Sequence, residues 1–232
     1  MLIDRNNHRV LDVLPSRDKA AVVAWLKAGV ASGLLAAVQE VTTDMWDGYV
    51  EAAREVFGPK VRVTIDRFHV MENLQNCLTK SRVEIQRTLP KEAAAELKGT
   101  RWKWLTNREN LTQEDRKQLR QLRRKYPTLG RLARAREVLR KIFESRDITT
   151  AAAGVRWLSR WCQRAKRLAL KGLDSFVGTM ERWMNEIANY FVSRSTNAET
   201  EGFNHGLRAI LWRTFGMKNF AHFRARALHA LG

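Results

Sequence analysis

Two acidic residues that stand directly after predicted strands are the first candidates for chemistry. Asp44 follows the mostly apolar run Leu34–Val41 and two threonines, and Asp66 follows the alternating segment Val61–Ile65. His69 stands three positions after Asp66. In open α/β sheets, ligands bind beyond the carboxyl ends of the strands. These positions therefore predict a polar site at one edge of a sheet.

The elements around these residues alternate between strand and helix patterns. Met1–Ile3 and His8–Leu14 flank a polar turn, which predicts a hairpin. Apolar residues recur at helical spacing from Ala20 to Val30 and again from Met45 to Phe57. Strands connected by helices of these lengths predict an α/β fold.

The middle of the chain, from Val70 to about Tyr190, has helical patterns and no convincing strand. Helix breaks are expected at Pro90, Gly99-Thr100, Pro127-Thr128, Thr149-Thr150 and Gly172. This block is rich in Lys and Arg, and its candidate DNA contacts are Arg116, Lys117, Arg120, Arg123, Arg124 and Lys125.

Tryptophans are interleaved with these charges. Aromatic rings beside arginines can stack on bases. Trp157 and Trp161 lie one helical turn apart, however, which favours packing between helices.

The composition indicates a polyanionic partner. The 232 residues include 42 Lys and Arg against 24 Asp and Glu, a formal charge of +18. Cys77 and Cys162 are far apart, which excludes a disulfide framework and a cysteine zinc finger. The chain has neither a signal peptide nor an apolar run of about 18 residues, so we expect a soluble cytoplasmic protein associated with the nucleoid.

Three segments carry a more specific signal in combination: residues 43–49, residues 65–70 and residues 195–220 with Thr200-Glu201-Gly202-Phe203-Asn204. Their order and spacing resemble the ISL-three family of bacterial insertion-sequence transposases. The resemblance implies a ribonuclease-H-like α/β fold of the DDE class, interrupted by a large all-α insertion. The implied division is the front of the core at 1–70, the basic insertion at 71–192 and the C-terminal part of the core at 193–232.

The same resemblance assigns site residues. Asp44 would be the second catalytic Asp and Glu201 the catalytic Glu, and both would bind metal. Asp66, His69 and Asn204 would be accessory residues. The cofactor would be two Mg²⁺ or Mn²⁺ ions, which activate water or a DNA 3′-hydroxyl and stabilise the departing oxygen without a covalent protein intermediate.

Several assignments have a second interpretation. Glu199 is a rival to Glu201, although it lies outside the Glu-Gly-Phe-Asn match. Asp66 can also cap the following helix, and His69 can be a histidine that is simply hydrogen-bonded at a strand end. Arg213 is a candidate phosphate contact or a solvated arginine.

The resemblance also implies that the first strand of the domain, with the first catalytic Asp, is missing. Met1–Ile3 and His8–Leu14 would then correspond to the second and third strands. Asp4 is the acid nearest to this gap, but its Asp-Arg-Asn-Asn setting is a turn that favours Asp for local reasons. We therefore expect an N-terminally truncated chain, inactive alone, of a protein that is a homo-oligomer at full length.

The leading functional hypothesis is metal-dependent cleavage and strand transfer on double-stranded DNA during transposition of an insertion sequence. The alternative is a catalytically dead DNA-binding remnant of a transposase. A helical RNA-binding protein is a third hypothesis, but it gives no reason for the β-rich front of the chain.

Overall fold

The structure is a computed structural model. It describes residues 1–196 and 198–232, and only the backbone of Lys171, Ala198 and Glu199. The strands are β1 Leu2–Asp4, β2 Arg9–Asp12, β3 Glu40–Thr43 and β4 Arg62–Ile65. The helices are α1 Lys19–Ala31, α2 Asp47–Phe57, α3 Arg67–Thr88, α4 Lys91–Leu97, α5 Arg101–Leu105, α6 Gln113–Lys125, α7 Pro127–Glu144, α8 Ala151–Lys166, α9 Lys171–Arg182, α10 Met184–Ser193, α11 Ala198–Arg213 and α12 Phe220–Leu231, with a short 3-10 helix at Arg108–Asn110.

Contacts divide the chain into two compact units. Met1–Asp66 and Ser195–Gly232 form the first, which we call the sheet unit. Arg67–Arg194 forms the second, which we call the helical unit. All four strands and the helices α1, α2, α11 and α12 belong to the sheet unit.

The strands of the sheet unit form two separate pairs. β1 and β2 are antiparallel, with Ile3 opposite Val10, which confirms the predicted hairpin. β3 and β4 are parallel, with Thr43 opposite Ile65, and α2 connects them as the alternating pattern predicts. Among the described residues these pairs do not join into one sheet. An α/β unit with small sheets is thus present, and the ribonuclease-H-like topology stays a prediction.

The predicted strand Leu34–Val41 is wrong in position, because β3 begins only at Glu40. Gly33 adopts a left-handed φ of +81°, and the residues after it form turns. Leu35 packs so closely on α1 that a methyl group at Gly29 would lie 2.6 Å from Leu35 Cδ1. The first part of the apolar run therefore packs against a helix, and only its last two residues, Glu40 and Val41, pair as a strand.

Two small apolar clusters hold the sheet unit together. In one, α1 and α2 pack through Val22, Val23, Leu26 and Ala52. In the other, Val10 and Val13 meet Ala227 of α12, and the apolar face of α11 packs against them. Burial of these faces fixes α11 and α12 on the hairpin.

The helical unit confirms the predicted helical block, since α3 to α10 follow one another through it. Trp161 is core, and its indole Nε1 donates to the carbonyl of Ala135 at 3.0 Å. Trp157 is exposed, so the packing prediction is wrong for that ring. Within residues 1–196 and 198–232, each helix is too short or too polar to span a bilayer.

Two of the expected helix breaks are displaced. Pro127 is the first residue of α7, a position where proline is favoured because its missing N–H would be unpaired there anyway. Gly172 lies inside α9, and the break falls at Ala169, whose φ is 49°.

Candidate functional site

The carboxyl edge of the parallel pair brings two predicted site residues together. Thr43 and Ile65 are partners in the register, and the amide of Asp66 donates to the carbonyl of Thr43 at 3.2 Å. Asp44 and Asp66 are therefore the next residues on adjacent strands. Asp66 is 1% exposed, whereas Asp44 is partly exposed. A buried acid beside a more accessible one is an arrangement suited to a polar site.

The surroundings of Asp44 come from α2. Trp46 and Tyr49 are in edge-to-face contact, with ring centroids 4.4 Å apart. Burial raises the pKa of Tyr49, the negative charge of Asp44 raises it further, and the positive charge of Arg17 opposes both effects. Asp44 thus acts electrostatically on an aromatic hydroxyl one turn further along the chain.

Glu201 lies in the first turn of α11. Phe203 and Leu207 on this helix pack against the cluster around Val10, so the opposite face of the helix is free of the hairpin. Glu201 and Asn204 are both partly exposed. Ile210 packs on the same cluster, so the apolar face of the helix lies against the hairpin. The rival Glu199 has a side chain that lies outside the described residues, as does all of Asn197 in the same motif.

His69 lies on α3, in the helical unit. Its Nδ1 is 3.6 Å from Glu72 Oε2, an ion pair when the imidazole is protonated. Its ring also meets that of Phe68 edge to face at 5.7 Å. These contacts lie within one helix.

Asp4 has a local role in the hairpin turn, as its sequence setting predicts. Its carboxylate accepts hydrogen bonds from the backbone amides of Asn6 and Asn7 and, at 2.6 Å, from the side chain of Asn7. The hydrogen bond from the Asn7 side chain is the main cause that lowers the pKa of Asp4. The turn therefore accounts for this acid without a catalytic role.

No group of three or more His, Cys, Asp or Glu side chains is placed to hold a metal ion in the part of the chain whose side chains are described. Asp44 and Asp66, which follow adjacent strands, nevertheless carry the carboxylate oxygens that Mg²⁺ prefers as ligands. Mg²⁺ is usually held by one or two carboxylates, with waters and phosphate oxygens as its other ligands. The edge of β3 and β4 fits such partial ligation.

The predicted DNA contacts on α6 divide into two sets. Five exposed residues fall on one side of the helix, which we call the α6 basic stripe: Arg116, Lys117, Arg120, Arg123 and Arg124. Leu119 and Leu122 are buried on the other side. Lys125 lies apart from the stripe, and its ammonium group contacts Glu96 at 2.6 Å. Arg213, at the end of α11, is exposed.

Comparison with known proteins decides the family. The sequence matches the family model described as "Transposase" over residues 1–227. The chain belongs to this family, the ISL-three transposases. It is similar to the transposase for insertion sequence element IS1001 of Bordetella parapertussis, with 22% identity over 227 residues, which is 96% of this chain and 54% of that relative. The chain thus spans about half the length of this curated relative. No solved structure matches it significantly.

The matched range of the ISL-three family includes Asp44, Asp66 and Glu201. The resemblance of the three sequence motifs to this family is therefore confirmed. The roles of the individual residues stay predictions.

Sequence reasoning missed a buried polar network in this ISL-three transposase chain. Asp12, 4% exposed, accepts from Trp25 Nε1 at 2.6 Å, from the Val13 amide at 2.7 Å and from Arg224 at 2.5 and 2.8 Å. Burial alone would raise the pKa of Asp12, but these hydrogen bonds together outweigh it and lower the pKa. A charged residue inside the apolar run His8–Leu14 is the signal for such partners, because buried charges are paired.

Proposed function

We propose that this chain carries the acidic site of a transposase that cleaves DNA strands and joins their 3′ ends in a metal-dependent reaction. The observation that supports the proposal best is the parallel register of β3 and β4, which makes Asp44 and Asp66 neighbours at one sheet edge. Family membership supports the same reaction class. Glu201 is the third acid of the proposal, in the first turn of a helix of the same unit.

Asp44 and Glu201 would hold the Mg²⁺ or Mn²⁺ ions, with Asp66 as the adjacent carboxylate. When bound, such cations neutralise phosphate charge and activate water or a DNA 3′-hydroxyl. Asn204 lies one helical turn after Glu201 and can donate an amide hydrogen bond to a phosphate oxygen. We assign His69 no role in the reaction, because its contacts lie within α3.

The α6 basic stripe would bind the phosphate backbone of double-stranded DNA. Its five residues are exposed, although the Arg116 guanidinium also donates to the carbonyl of Glu109 at 3.2 Å, and the chain carries a charge of +18. Contacts of this kind hold DNA without reading its sequence, and they release counterions.

DNA binding without cleavage is the second candidate function. One observation favours it: among the described side chains no three acids are gathered into a metal-binding group. The two candidates differ in one measurable property, the binding of a divalent ion at the edge of β3 and β4.

Iron-mediated backbone cleavage of the purified 232-residue chain tests the metal site without requiring catalytic activity. Fe²⁺ with ascorbate and peroxide produces radicals that cut the chain close to the bound ion. We expect cuts near residues 44, 66 and 201 that excess Mg²⁺ suppresses. Asp44→Asn and Glu201→Gln should abolish them.

The matched control is Glu51→Gln, which removes an exposed acid of the same unit that pairs with Lys19 at 2.9 Å. It should leave the cuts unchanged. Loss in Glu199→Gln but not in Glu201→Gln would transfer the third-acid role to Glu199. Absence of all cuts, together with intact salt-dependent DNA binding, would favour the second candidate.

A further inference from the structure

Two large aromatic side chains at the end of α11 are almost completely exposed. Trp212 is 88% exposed and Phe215 is 99% exposed. Exposed apolar surface is unfavourable in water, and contiguous exposed apolar patches often mark binding sites. Packing within the chain therefore does not account for either ring.

The backbone at Phe215 is also unfavourable for the residue that occupies it. The amide of Gly216 donates to the carbonyl of Leu211 at 2.9 Å, and that of Phe215 to Trp212 at 3.2 Å, which is the Schellman pattern of a helix end. Phe215 has a φ of 52°, in the left-handed region. Glycine is preferred at this position, and a bulky residue there is uncommon. Neither local conformation nor burial explains a phenylalanine here.

The charges around these rings favour an anionic ligand. Arg208, Arg213 and Lys218 are exposed on the same helix end and the turn after it. From Gly202 to Gly232 the sequence contains no Asp or Glu. Exposed aromatic rings among cations are the combination that binds single-stranded nucleic acid, because the rings stack on bases while the cations contact phosphates.

Trp212 lies on the helix face that begins with Glu201, and Phe215 follows in the turn after the helix. Residues 7 and 11 positions further along an α-helix return to within about 20° of the same direction, which places Arg208 and Trp212 on the side of Glu201. The opposite face is occupied, because Phe203 and Leu207 pack on the hairpin. Eleven residues of helix span about 16 Å along the helix axis.

We propose that Trp212 and Phe215 form a stacking site for unpaired DNA bases, about 16 Å along α11 from the metal site proposed at Glu201. The distance rests on the proposed function, whereas the stacking site itself rests on exposure, backbone conformation and charge. Fully paired duplex DNA has its bases already stacked on one another. The ligand is therefore a single-stranded tail or a base that has left the duplex.

Fluorescence anisotropy with two labelled DNAs at one salt concentration tests the site. One is a fully paired duplex, and the other is the same duplex with a short unpaired tail. The chain should bind the tailed DNA about tenfold more tightly. Trp212→Ala and Phe215→Ala should bring this preference close to one, and Trp212→Tyr should keep most of it.

Two variants separate stacking from an effect on folding. Phe215→Gly places the preferred residue in the left-handed position, so its melting temperature should be equal or higher while the tail preference is lost. Trp102→Ala is the matched control in the helical unit. Trp102 is 66% exposed and has the Arg101 guanidinium 4.8 Å from its ring centroid. Its removal should leave the preference unchanged.

Equal binding of both DNAs by the unchanged chain would overturn the proposal. The proposal would also be overturned if Trp212→Ala and Phe215→Ala kept the preference for tailed DNA. This holds even if sedimentation showed that these variants change the oligomeric state. The iron-cleavage experiment supplies the separation from the proposed function. If the unchanged chain gives no metal-dependent cuts but its tail preference depends on Trp212, the stacking site stands and the metal site fails.

Discussion

Removal of the Asp12 carboxylate should release α12 from the strand and helix that hold it. Asp12 of β2 bonds simultaneously to Trp25 of α1 and Arg224 of α12. α12 in turn packs on α11, the helix that carries Glu201. Asp12→Ala therefore tests whether this buried network, which joins residues 212 positions apart in the chain, holds the C-terminal helices in place.

The magnitude follows from what happens to each partner of the carboxylate. The Trp25 indole N–H and the Val13 amide would be left without an acceptor, at about 1–3 kcal/mol for each group that stays buried. Trp25 is only partly buried, which favours the lower end of that range. The Arg224 side chain is 46% exposed and regains water, so its contribution is discounted. Asp12→Ala should cost about 2–4 kcal/mol, and Arg224→Ala about 1–2 kcal/mol because the other bonds remain.

Amide hydrogen exchange measured by mass spectrometry is the appropriate assay, because a chain with two units need not unfold in one step. Peptides from β2 and α12 should exchange about thirtyfold faster in Asp12→Ala, the equivalent of about 2 kcal/mol. Peptides from the helical unit should not change. Glu51→Gln, a surface acid of the same unit, serves as the control.

Unchanged exchange in α12 after Asp12→Ala would refute the positioning role. So would additive effects of Asp12→Ala and Arg224→Ala in the double variant, since residues that share a hydrogen bond should show coupling of about 0.5–3 kcal/mol.

Three further predictions concern pH, packing and DNA. Because the pKa of Asp12 is lowered from 3.8, its stabilisation is full above that value and is lost as the pH falls through the folded value. The protection of α12 amides, taken relative to their intrinsic exchange rate at each pH, should therefore decrease in acid, but much less so in Asp12→Asn. Gly154→Ala would place a methyl 2.4 Å from Phe191 Cδ2 and should lower the melting temperature by several degrees, whereas Gly178→Ala points into open space within α9 and should raise it. Glutamine at all five positions of the α6 basic stripe should make the plot of log DNA affinity against log salt concentration less steep. The slope should change by about 0.9 for each DNA phosphate that the chain no longer neutralises. An unchanged slope, or an equal change in the control variant Lys125→Gln, would contradict the assignment.

The local sequence pattern alone was sufficient to predict most of the helices and strands of the sheet unit. Alternation predicted β4, helical spacing predicted α1 and α2, and the residues after the strands predicted where Asp44 and Asp66 stand. The parallel pairing follows from a helical connection between consecutive strands. Asp4 was also predictable, because a turn uses its acid within three residues.

Only the tertiary structure decided the rest. The run Leu34–Val41 is apolar enough for a strand, but its first residues form turns where Leu35 packs against α1, and β3 begins only at Glu40. The sequence shows Lys125 as one more cation on α6, and Glu96 on another helix removes it from the stripe. Trp157 and Trp161 share a helix, yet the neighbouring helices bury only the second.

Asp12 and Phe215 show the limit most clearly. Hydrophobic periodicity is a pattern among residues a few positions apart. It therefore predicts which face of its own helix or strand a side chain occupies. The partner of Asp12 lies 212 residues further along the chain, and the exposure of Phe215 depends on which surfaces the packed helices leave uncovered. Both depend on contacts between elements, so the sequence pattern determined the elements and tertiary packing determined which of their side chains are buried, paired or available to a ligand.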